Sequence, residues 1–270
     1  MSWSWVGKAS KYTAVGRITV RSHLAYVADF AFRSLFLLLI LYIFMQVWTV
    51  TFEGEGTDRI EGYTYKQIIW YLIVAESVIL AFPKLVAKIE TEVKNGDVGY
   101  QLLRPIHYVL YHYSAFMGEA LIRFMVNLAI GSMLGIAVFG WSTPSLVSLA
   151  ALAVVLLGAF TIQYAMNMMV ALCAFWVEET RGLDFVYSKL LFTIGGMLLP
   201  LEMFPGALQT ISGWLPFQGI AYFTAKTAVR FEAAEWIRMI GIQLIWIVVL
   251  MAGAFAVYRK GVKKLHVNGG

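Results

Sequence analysis

The fold class is decided by residues 146–176, which read LVSLAALAVVLLGAFTIQYAMNMMVALCAFW. This stretch contains no Asp, Glu, Lys or Arg over 31 consecutive residues. A helix needs about 20 apolar residues to cross the hydrocarbon core of a bilayer. We therefore predict a transmembrane helix here. Its excess length means that the helix is tilted or projects beyond the bilayer.

Composition extends this prediction to the whole chain of 270 residues. Hydrophobic residues make up 60% and charged residues 14%, a balance unlike that of an average soluble domain. At about 20 residues per crossing, with short loops, the length fits about six spans and leaves no room for a separate soluble domain. We predict one all-α membrane domain over residues 1–270. The lone Cys173 can form no disulfide within the chain, and packing is its expected role.

Hydropathy and turn residues divide the chain into segments. Residues 1–33 mix aromatic and apolar positions with lysines and arginines, which is typical of an amphipathic helix on a membrane face. Residues 200–230 are too apolar for an ordinary loop and too interrupted by Pro and Gly for one crossing. We expect a pair of short re-entrant or interfacial helices there, on the outer side. Six spans are predicted, at residues 34–50, 63–82, 110–139, 146–176, 185–199 and 237–258.

Lysines and arginines are distributed unequally between the two sides of this six-span arrangement. Fifteen of the 21 lie on the side of the termini and five on the other, while Arg123 belongs clearly to neither. Such an excess of positive charge marks cytoplasmic loops. We therefore expect an integral protein of the cell (inner) membrane with both termini in the cytoplasm. The formal net charge of +5 has this topological explanation, and no nucleic-acid partner is expected.

Motifs for chemistry are missing from the sequence. No Gly-x-x-x-x-Gly-Lys-Ser/Thr loop occurs, so the chain has no recognisable site of its own for nucleotide phosphates. His107 and His112 are five residues apart, a spacing that does not place two ligands on one helical face, and we predict no metal site. No nucleophile with a recognisable base stands out. We therefore expect a protein that is not an enzyme and has no cofactor of its own.

The loop at residues 84–105 is the longest polar stretch between spans. Its apolar residues recur at helical spacing among charged ones, which predicts an amphipathic helix that ends at Asn95 and Gly96. Such a helix can press an apolar stripe into a groove on another protein. Gly96 and Gly99 would permit a sharp reversal of the chain after it. The stripe consists of Leu85, Ile89 and Val93.

Three segments in this part of the chain resemble a known family. Residues 62–72 read GYTYKQIIWYL, residues 89–100 read IETEVKNGDVGY, and residues 102–105 read LLRP. They are similar to the six-span permeases of the type-two ABC exporter superfamily, which share an I-x-x-G-D-[IV]-x-x-x-L-L-R-P pattern between the second and third spans. The order of spans resembles the family over nearly the whole chain.

The resemblance implies a half-transporter. Two permease subunits, identical or related, would form the path, and two separate ATP-binding cassette ATPase subunits would dock on the cytoplasmic side with their ATP and magnesium. The loop between spans two and three would carry the coupling helix, and the loop between spans four and five would make a second contact. For Glu178 and Glu179 a solvated helix end is an equal alternative. The residues assigned to coupling are Leu85, Ile89, Val93, Gly96, Asp97, Gly99, Arg104, Glu178 and Glu179.

Polar residues inside the predicted spans are candidates for the transport path. Glu76 is the one acid in the middle of a span. Burying an ionised carboxylate in a bilayer costs at least about 2.5 kcal/mol, so Glu76 must face a partner or a cavity. Gln163 and Asn167 in the fourth span could line a path for amphipathic substrates. A structural role is the alternative for each: a protonated or hydrogen-bonded residue at a subunit interface for Glu76, and interhelical hydrogen bonding for the other two.

Together these features predict the permease subunit of an ATP-driven exporter with a lipid-like, drug-like or amphipathic substrate. The main alternative is a proton-coupled secondary transporter or a channel that uses Glu76, and a third is a membrane-embedded enzyme or a scaffold. Co-purification of an ATPase subunit would support the first hypothesis. A stable, active protein purified without one would favour the others. Membrane lipids are expected partners in every case.

Overall fold

The computed structural model of the chain describes residues 5–25, 27–140, 145–177 and 179–268. Every regular element among them is helical, as the all-α prediction requires. Short 3₁₀ turns occupy Cys173–Phe175, Leu201–Met203 and Pro216–Gly219. The α-helices are α1 Trp5–Ala25, α2 Val27–Glu55, α3 Tyr65–Leu80, α4 Leu85–Lys94, α5 Asp97–Leu102, α6 Tyr108–Phe139, α7 Leu146–Leu172, α8 Arg181–Ile194, α9 Gly206–Trp214, α10 Ala221–Val229 and α11 Ala233–Asn268.

Five helical segments in the described part of the chain are long and apolar enough to cross a membrane. They overlap five of the six predicted spans. The second of them includes both α3 and the charged helix α4, which are separated by the break at Pro83. The five are Ser34–Glu55, Tyr65–Lys94, Tyr108–Phe139, Leu146–Phe175 and Ala233–Lys264.

The predicted span at residues 185–199 is built differently. Here α8 has only 14 residues, about 21 Å at a rise of about 1.5 Å per residue, whereas the hydrocarbon core is about 30 Å thick. The helix stops at Gly195, and Gly196 follows with a φ of +68°, a left-handed conformation that glycine adopts without strain. Residues 195–200 then continue without regular helix. By length alone, α8 is not a spanning helix.

The central helix of the bundle is α3. A capping box fixes its start: the Gln67 backbone N–H donates to Thr64 Oγ1 at 3.3 Å, and the Thr64 N–H donates to Gln67 Oε1 at 3.0 Å. Residues 71–78 are all buried, with α2, α6 and α10 around them. The approach of α6 is close, because a Cβ on Gly131 or Gly135 would lie 2.9 Å from the Ile73 side chain.

The long helices alternate between two ends of the bundle. At one end, the His107 backbone N–H donates to the hydroxyl of Tyr12 in α1 at 3.1 Å, and the His107 ring lies 5.1 Å from the ring of Tyr258 in α11. We call this the basic end, because the loop at residues 84–105 and the lysine-rich part of α11 lie there. The other, called the opposite end, carries the starts of α3 and α11. The described parts of the first and last helices therefore meet at one end.

The helix α1 packs along the beginning of α6. A Cβ on Gly118 would lie 2.8 Å from the backbone oxygen of Gly16, and His23 Nε2 lies 3.3 Å from a Glu119 carboxylate oxygen. The exposed side of α1 carries Ile18 beside Arg17. A helix was predicted in this segment, and its placement on a membrane face stays a prediction.

Residues 200–230 form two short helices, α9 and α10, joined by a 3₁₀ turn that begins with Pro216. The helix α10 is buried against α3 and α7. In contrast, α9 is largely exposed, and Trp214 at its end is 79% accessible. The interruption by prolines and glycines therefore produces two short helices, whereas their re-entrant position in a membrane stays a prediction.

Candidate transport cavity and coupling elements

A cavity of about 630 Å³ lies between α3, α4, α7 and α8 near the basic end. It is lined by all three residues predicted for the transport path, Glu76 from α3 together with Gln163 and Asn167 from α7. Its volume is typical of sites that bind small molecules, which measure about 300–1,000 Å³. The rest of its wall is largely apolar and includes Ile40, Ile79, Leu80, Phe82, Leu85, Val86, Leu191, Phe192 and Met197.

Glu76 lies in this wall with 3% of its surface accessible. It shares one face of α3 with Ile79 and Leu80, which lie three and four residues further along the helix. Among the described residues, Glu76 has neither a hydrogen-bond donor nor a cation as a partner. A carboxylate inside a membrane helix is costly unless something compensates its charge. No described residue does so, which leaves the contents of the cavity as the compensating group.

The two α7 residues differ in how their polar groups are satisfied. Gln163 Oε1 accepts a hydrogen bond from the hydroxyl of Tyr187 in α8, so the interhelical hydrogen bond that was the structural alternative is present. Asn167 is also buried, and its Oδ1 atom has no partner in the described part of the chain. Asn167 therefore adds an unsatisfied acceptor to the wall that holds Glu76.

Two wall residues on α8 were not predicted from the sequence. Asp184 and Tyr187 line the cavity together with Ser188 and Leu191, at the spacing of one helical face. The predicted span begins at residue 185 and leaves Asp184 in a loop. A helix predicted to begin at residue 181 would have placed these residues on one face. The contribution of α8 to the cavity is thus a finding of the structure.

The predicted apolar stripe of the loop at residues 84–105 points into the chain itself. Ile89 is completely buried, Leu85 is nearly so, and Val93 packs against the same core. The end of α7 and its 3₁₀ turn cover α4. The expectation that Leu85 and Ile89 enter a groove on another protein is therefore wrong in this structure. An amphipathic pattern shows which face avoids water, but it does not show which surface covers that face. Their part in coupling stays a prediction, through packing.

Gly96 forms the reversal between α4 and α5, as predicted. Its φ of +76° lies in the left-handed region, where a side chain would be strained. Gly99 lies inside α5 without such a conformation; its N–H donates to the Gly96 carbonyl at 3.1 Å, but the reversal does not require a glycine at this position. Asp97 and Arg104 are both exposed at this tip of the molecule.

Two large apolar residues are exposed at the same tip, and neither was among the predicted coupling residues. Tyr100 is 75% accessible and Leu103 is 84% accessible. Apolar residues that stand exposed among charged ones are common at protein contacts. In the sequence these two residues stand three positions apart, and Arg104 follows them directly. We call Tyr100, Leu103 and Arg104 the α5 tip.

Glu90 fastens α4 to the connection between α7 and α8. This buried carboxylate accepts hydrogen bonds from the backbone N–H of Thr180 at 2.9 Å and from its hydroxyl at 2.6 Å. Lys94 completes the arrangement, with its Nζ atom 2.7 Å from the other carboxylate oxygen. The neighbouring Glu179 is exposed, and Glu178 lies outside the described residues. Because Glu90 and Thr180 are 90 residues apart, no local sequence pattern predicts this contact.

A second carboxylate on α4 makes a similar attachment to α6. Glu92 accepts a hydrogen bond from the hydroxyl of Tyr108 at 2.8 Å, and His112 Nε2 lies 3.2 Å from the same oxygen. The helix α4 is therefore attached to both of its neighbours at the basic end.

A cluster of paired charges around Lys226 lies at the opposite end. Lys226 Nζ is 2.6 Å from Glu202 Oε1 and also contacts the Glu235 carboxylate. Glu202 accepts further hydrogen bonds from the hydroxyls of Tyr222, at 2.8 Å, and Tyr63, at 3.3 Å. Burial alone would raise the pKa of Glu202, but the hydrogen bond and charge of Lys226 outweigh it and hold that pKa below its ordinary value. We call these five residues the Lys226 cluster.

An all-helical chain with several membrane-length helices, an internal cavity and a polar loop attached beside it has the architecture of a membrane transport subunit. A family model described as "ABC-2 family transporter protein" matches residues 35–269. The match covers most of the chain, and the protein belongs to this family. The resemblance of its loop segments to the type-two ABC permeases is thereby confirmed. A comparison with curated proteins finds no match.

Proposed function

We propose that this protein is the permease subunit of an ATP-driven exporter and that the cavity around Glu76 is part of its transport path. ATP and magnesium would be bound by two separate ATPase subunits. A second permease subunit, identical or related, would complete the path. A lipid-like, drug-like or amphipathic substrate suits a cavity of this size with a largely apolar wall.

The observation that carries the proposal is that the coupling loop and the cavity share structural elements. Lys84 and Leu85 at the start of α4 line the cavity. Further along α4, Glu90 accepts a hydrogen bond from the hydroxyl of Thr180. Thr180 directly precedes α8, the helix that brings Tyr187 to the cavity wall. A displacement of α4 would therefore move two walls of the cavity together. Force applied at the basic end can reach the substrate site in this way.

Six crossings remain the topology that best fits the contacts. The segment from Asp184 to Glu202 begins at the cavity wall that also includes Lys84, just after α3, and finishes beside Tyr63, just before α3. It therefore runs the length of the central helix, although only its first part is helical. Non-helical backbone at membrane depth is tolerated where protein covers it. With six crossings and the excess of Lys and Arg at the basic end, we place both termini in the cytoplasm.

The surface that receives the ATPase subunit is, in this proposal, the α5 tip rather than the stripe of Leu85 and Ile89. Only the tip presents apolar surface outward from the loop, through Tyr100 and Leu103. Arg104 adds a cation that can pair with a carboxylate of the partner. The exposed Glu179 at the neighbouring connection is placed to make the second contact.

The direct test replaces Leu103 with Asp. Its side chain is exposed, so Leu103→Asp should fold and insert normally, while a charge in an apolar contact should weaken ATPase association about tenfold or more. A control, Thr57→Asp, adds the same charge in an exposed loop at the opposite end and should change nothing. Co-purification and ATP-dependent transport in vesicles provide the measurements. Normal partner binding and full ATP-dependent transport by Leu103→Asp would overturn the assignment of this surface.

The unpartnered Glu76 also supports one competing function, proton-coupled transport without an ATPase. In that case the chain alone, reconstituted in liposomes, would move substrate in response to an imposed pH gradient. Replacement of Glu76 by Gln would abolish that movement. Under the exporter proposal, liposomes that contain only this chain show no transport until the ATPase subunits and ATP are added.

A further inference from the structure

We infer that the cavity binds an amphipathic organic cation and that Glu76 and Asn167 hold its positively charged N–H group. This inference rests on the proposed function in taking the cavity as part of the transport path. Binding itself requires neither ATP nor an ATPase subunit. It can therefore be tested separately from coupling.

The cavity wall contains one buried acidic group, and a bound cation would favour the charged form of that group. Glu76 has no partner in the described part of the chain, and the buried Oδ1 of Asn167 is an acceptor without a donor. A ligand that donates N–H groups and carries a positive charge satisfies both. An anionic ligand would place like charges together in a medium of low dielectric constant, where repulsion is strong.

The charged residues at the mouth do not neutralise Glu76. Lys84 and Lys189 are exposed, and Lys189 Nζ lies 5.2 Å from the centre of the Phe185 ring on its own helix. Asp184 contributes a half-buried acidic side chain to the same wall. The mouth is therefore mixed in sign, and among the described residues Glu76 is the one buried acidic or basic side chain in the wall.

The size and lining of the cavity favour an organic cation over a metal ion. Hard cations such as Ca²⁺ take six or more oxygen ligands at short range. The buried polar wall offers few, because Gln163 Oε1 already accepts from Tyr187. Phe82, Tyr187 and Phe192 supply aromatic rings against which an organic cation can pack. The remaining apolar wall suits a bulky hydrophobic body attached to the charge.

The experiment uses the full chain in phosphatidylcholine nanodiscs, with empty nanodiscs as the blank. The probe is rhodamine 6G, an amphipathic dye with one positive charge, and its binding is followed by fluorescence polarisation. The variant Glu76→Gln keeps the shape and loses the charge, so its affinity should fall about tenfold or more. Glu76→Asp keeps the charge and should retain most of the binding. Glu55→Gln removes an exposed carboxylate elsewhere and should bind as the unaltered protein does.

Two results would overturn the inference. One is binding of rhodamine 6G by Glu76→Gln that equals the binding by the unaltered protein, when the thermal unfolding midpoint of the variant is no lower than that of the unaltered protein. The other is saturable binding of the anionic dye fluorescein that competes with rhodamine 6G. Either result leaves the test of the α5 tip untouched, because that test measures ATPase association. Conversely, a failure of Leu103→Asp to disturb coupling would not alter binding of the cation.

Discussion

The molecule contains two buried polar regions that treat charge in opposite ways. In the Lys226 cluster, one ammonium group is shared by the carboxylates of Glu202 and Glu235, and neighbouring hydroxyls add hydrogen bonds. In the cavity, Glu76 lies at similar depth in the protein with no partner among the described residues. Paired charges hold segments of the chain together. An unpaired carboxyl group in a cavity can instead form its ion pair with a ligand that enters the cavity. We therefore assign structure to the first region and ligand binding to the second.

The position of each region supports this division. The Lys226 cluster joins four parts of the chain, through Tyr63 before α3, Glu202 in a 3₁₀ turn, Lys226 in α10 and Glu235 in α11. These contacts anchor a stretch that prolines and glycines interrupt repeatedly. The cavity instead lies beside α4 and α8, the elements joined by Glu90. One end of the bundle is thus locked, and the other is connected to a candidate docking surface.

The largest effect on stability is expected from Lys226→Met. The variant leaves two carboxylates without their cation. Breaking a fully buried ion pair from one side costs about 3–5 kcal/mol, and the loss here should lie at the lower end of that range, because the two carboxylate side chains are 29% and 30% accessible. The thermal unfolding midpoint in detergent should fall clearly. Arg238→Met removes the same charge from an exposed position on α11 and should leave the midpoint nearly unchanged. If both variants unfold at the temperature of the unaltered protein, the cluster does not lock this end.

A smaller effect is expected from Thr180→Val. This change removes the hydroxyl that donates to Glu90 while it keeps the shape of the side chain, and the loss should be about 1–3 kcal/mol. ATPase activity stimulated by substrate should fall in the assembled transporter, because α4 is less firmly attached to the start of α8. Thr193→Val, at an exposed position on α8 whose hydroxyl bonds only within its helix, serves as the control. Unchanged coupling in Thr180→Val would mean that Glu90 does not carry the motion.

Glu76→Gln should have the opposite effect on the stability of the folded protein. Because an unpaired carboxylate in a membrane helix is unfavourable, its replacement should leave stability unchanged or raise it by up to about 2 kcal/mol, even as cation binding is lost. Measured beside Lys226→Met, this variant sharpens the contrast between the two regions. A large destabilisation by Glu76→Gln would show that Glu76 is a structural residue with a partner, for instance in a second subunit.

The weakest effect is the acid dependence of the Lys226 cluster. Since the pKa of Glu202 is lower in the folded protein than its ordinary value of 4.5, the folded state binds fewer protons than the unfolded state. The corresponding stabilisation is complete above the ordinary pKa and is lost as the pH falls through the folded value. Unfolding midpoints should therefore decline below about pH 4.5, and less steeply in Glu202→Gln. An identical acid profile in that variant would contradict the role of Glu202.

Much of the fold was predictable, because apolar length and breaker residues are local signals. The predicted span at residues 110–139 lies within α6, and the polar residues Glu76, Gln163 and Asn167 do share one cavity. Burial of polar groups in apolar helices is costly, so such residues tend to gather around a common compensating feature. This physical rule made the cavity residues accessible to prediction.

The remaining features depend on which surfaces meet in three dimensions. The amphipathic pattern of α4 identified an apolar face at Ile89, but its cover is the protein's own α7. The early end of α8 follows from the left-handed conformation of Gly196, which a run of apolar residues conceals. The contact between Glu90 and Thr180 spans 90 residues. No periodicity within either segment encodes it.

The central claim is that movement of the coupling loop changes the cavity around Glu76. It is tested most directly by a single cysteine at Ser188, an exposed position in the cavity wall, in a chain whose only other cysteine is removed by Cys173→Ala. In inside-out vesicles with the ATPase subunits present, ATP and vanadate should change the rate of labelling by a membrane-impermeant maleimide. Leu103→Asp should abolish that change. An identical labelling rate with and without ATP, in a complex that still transports substrate, would contradict the claim.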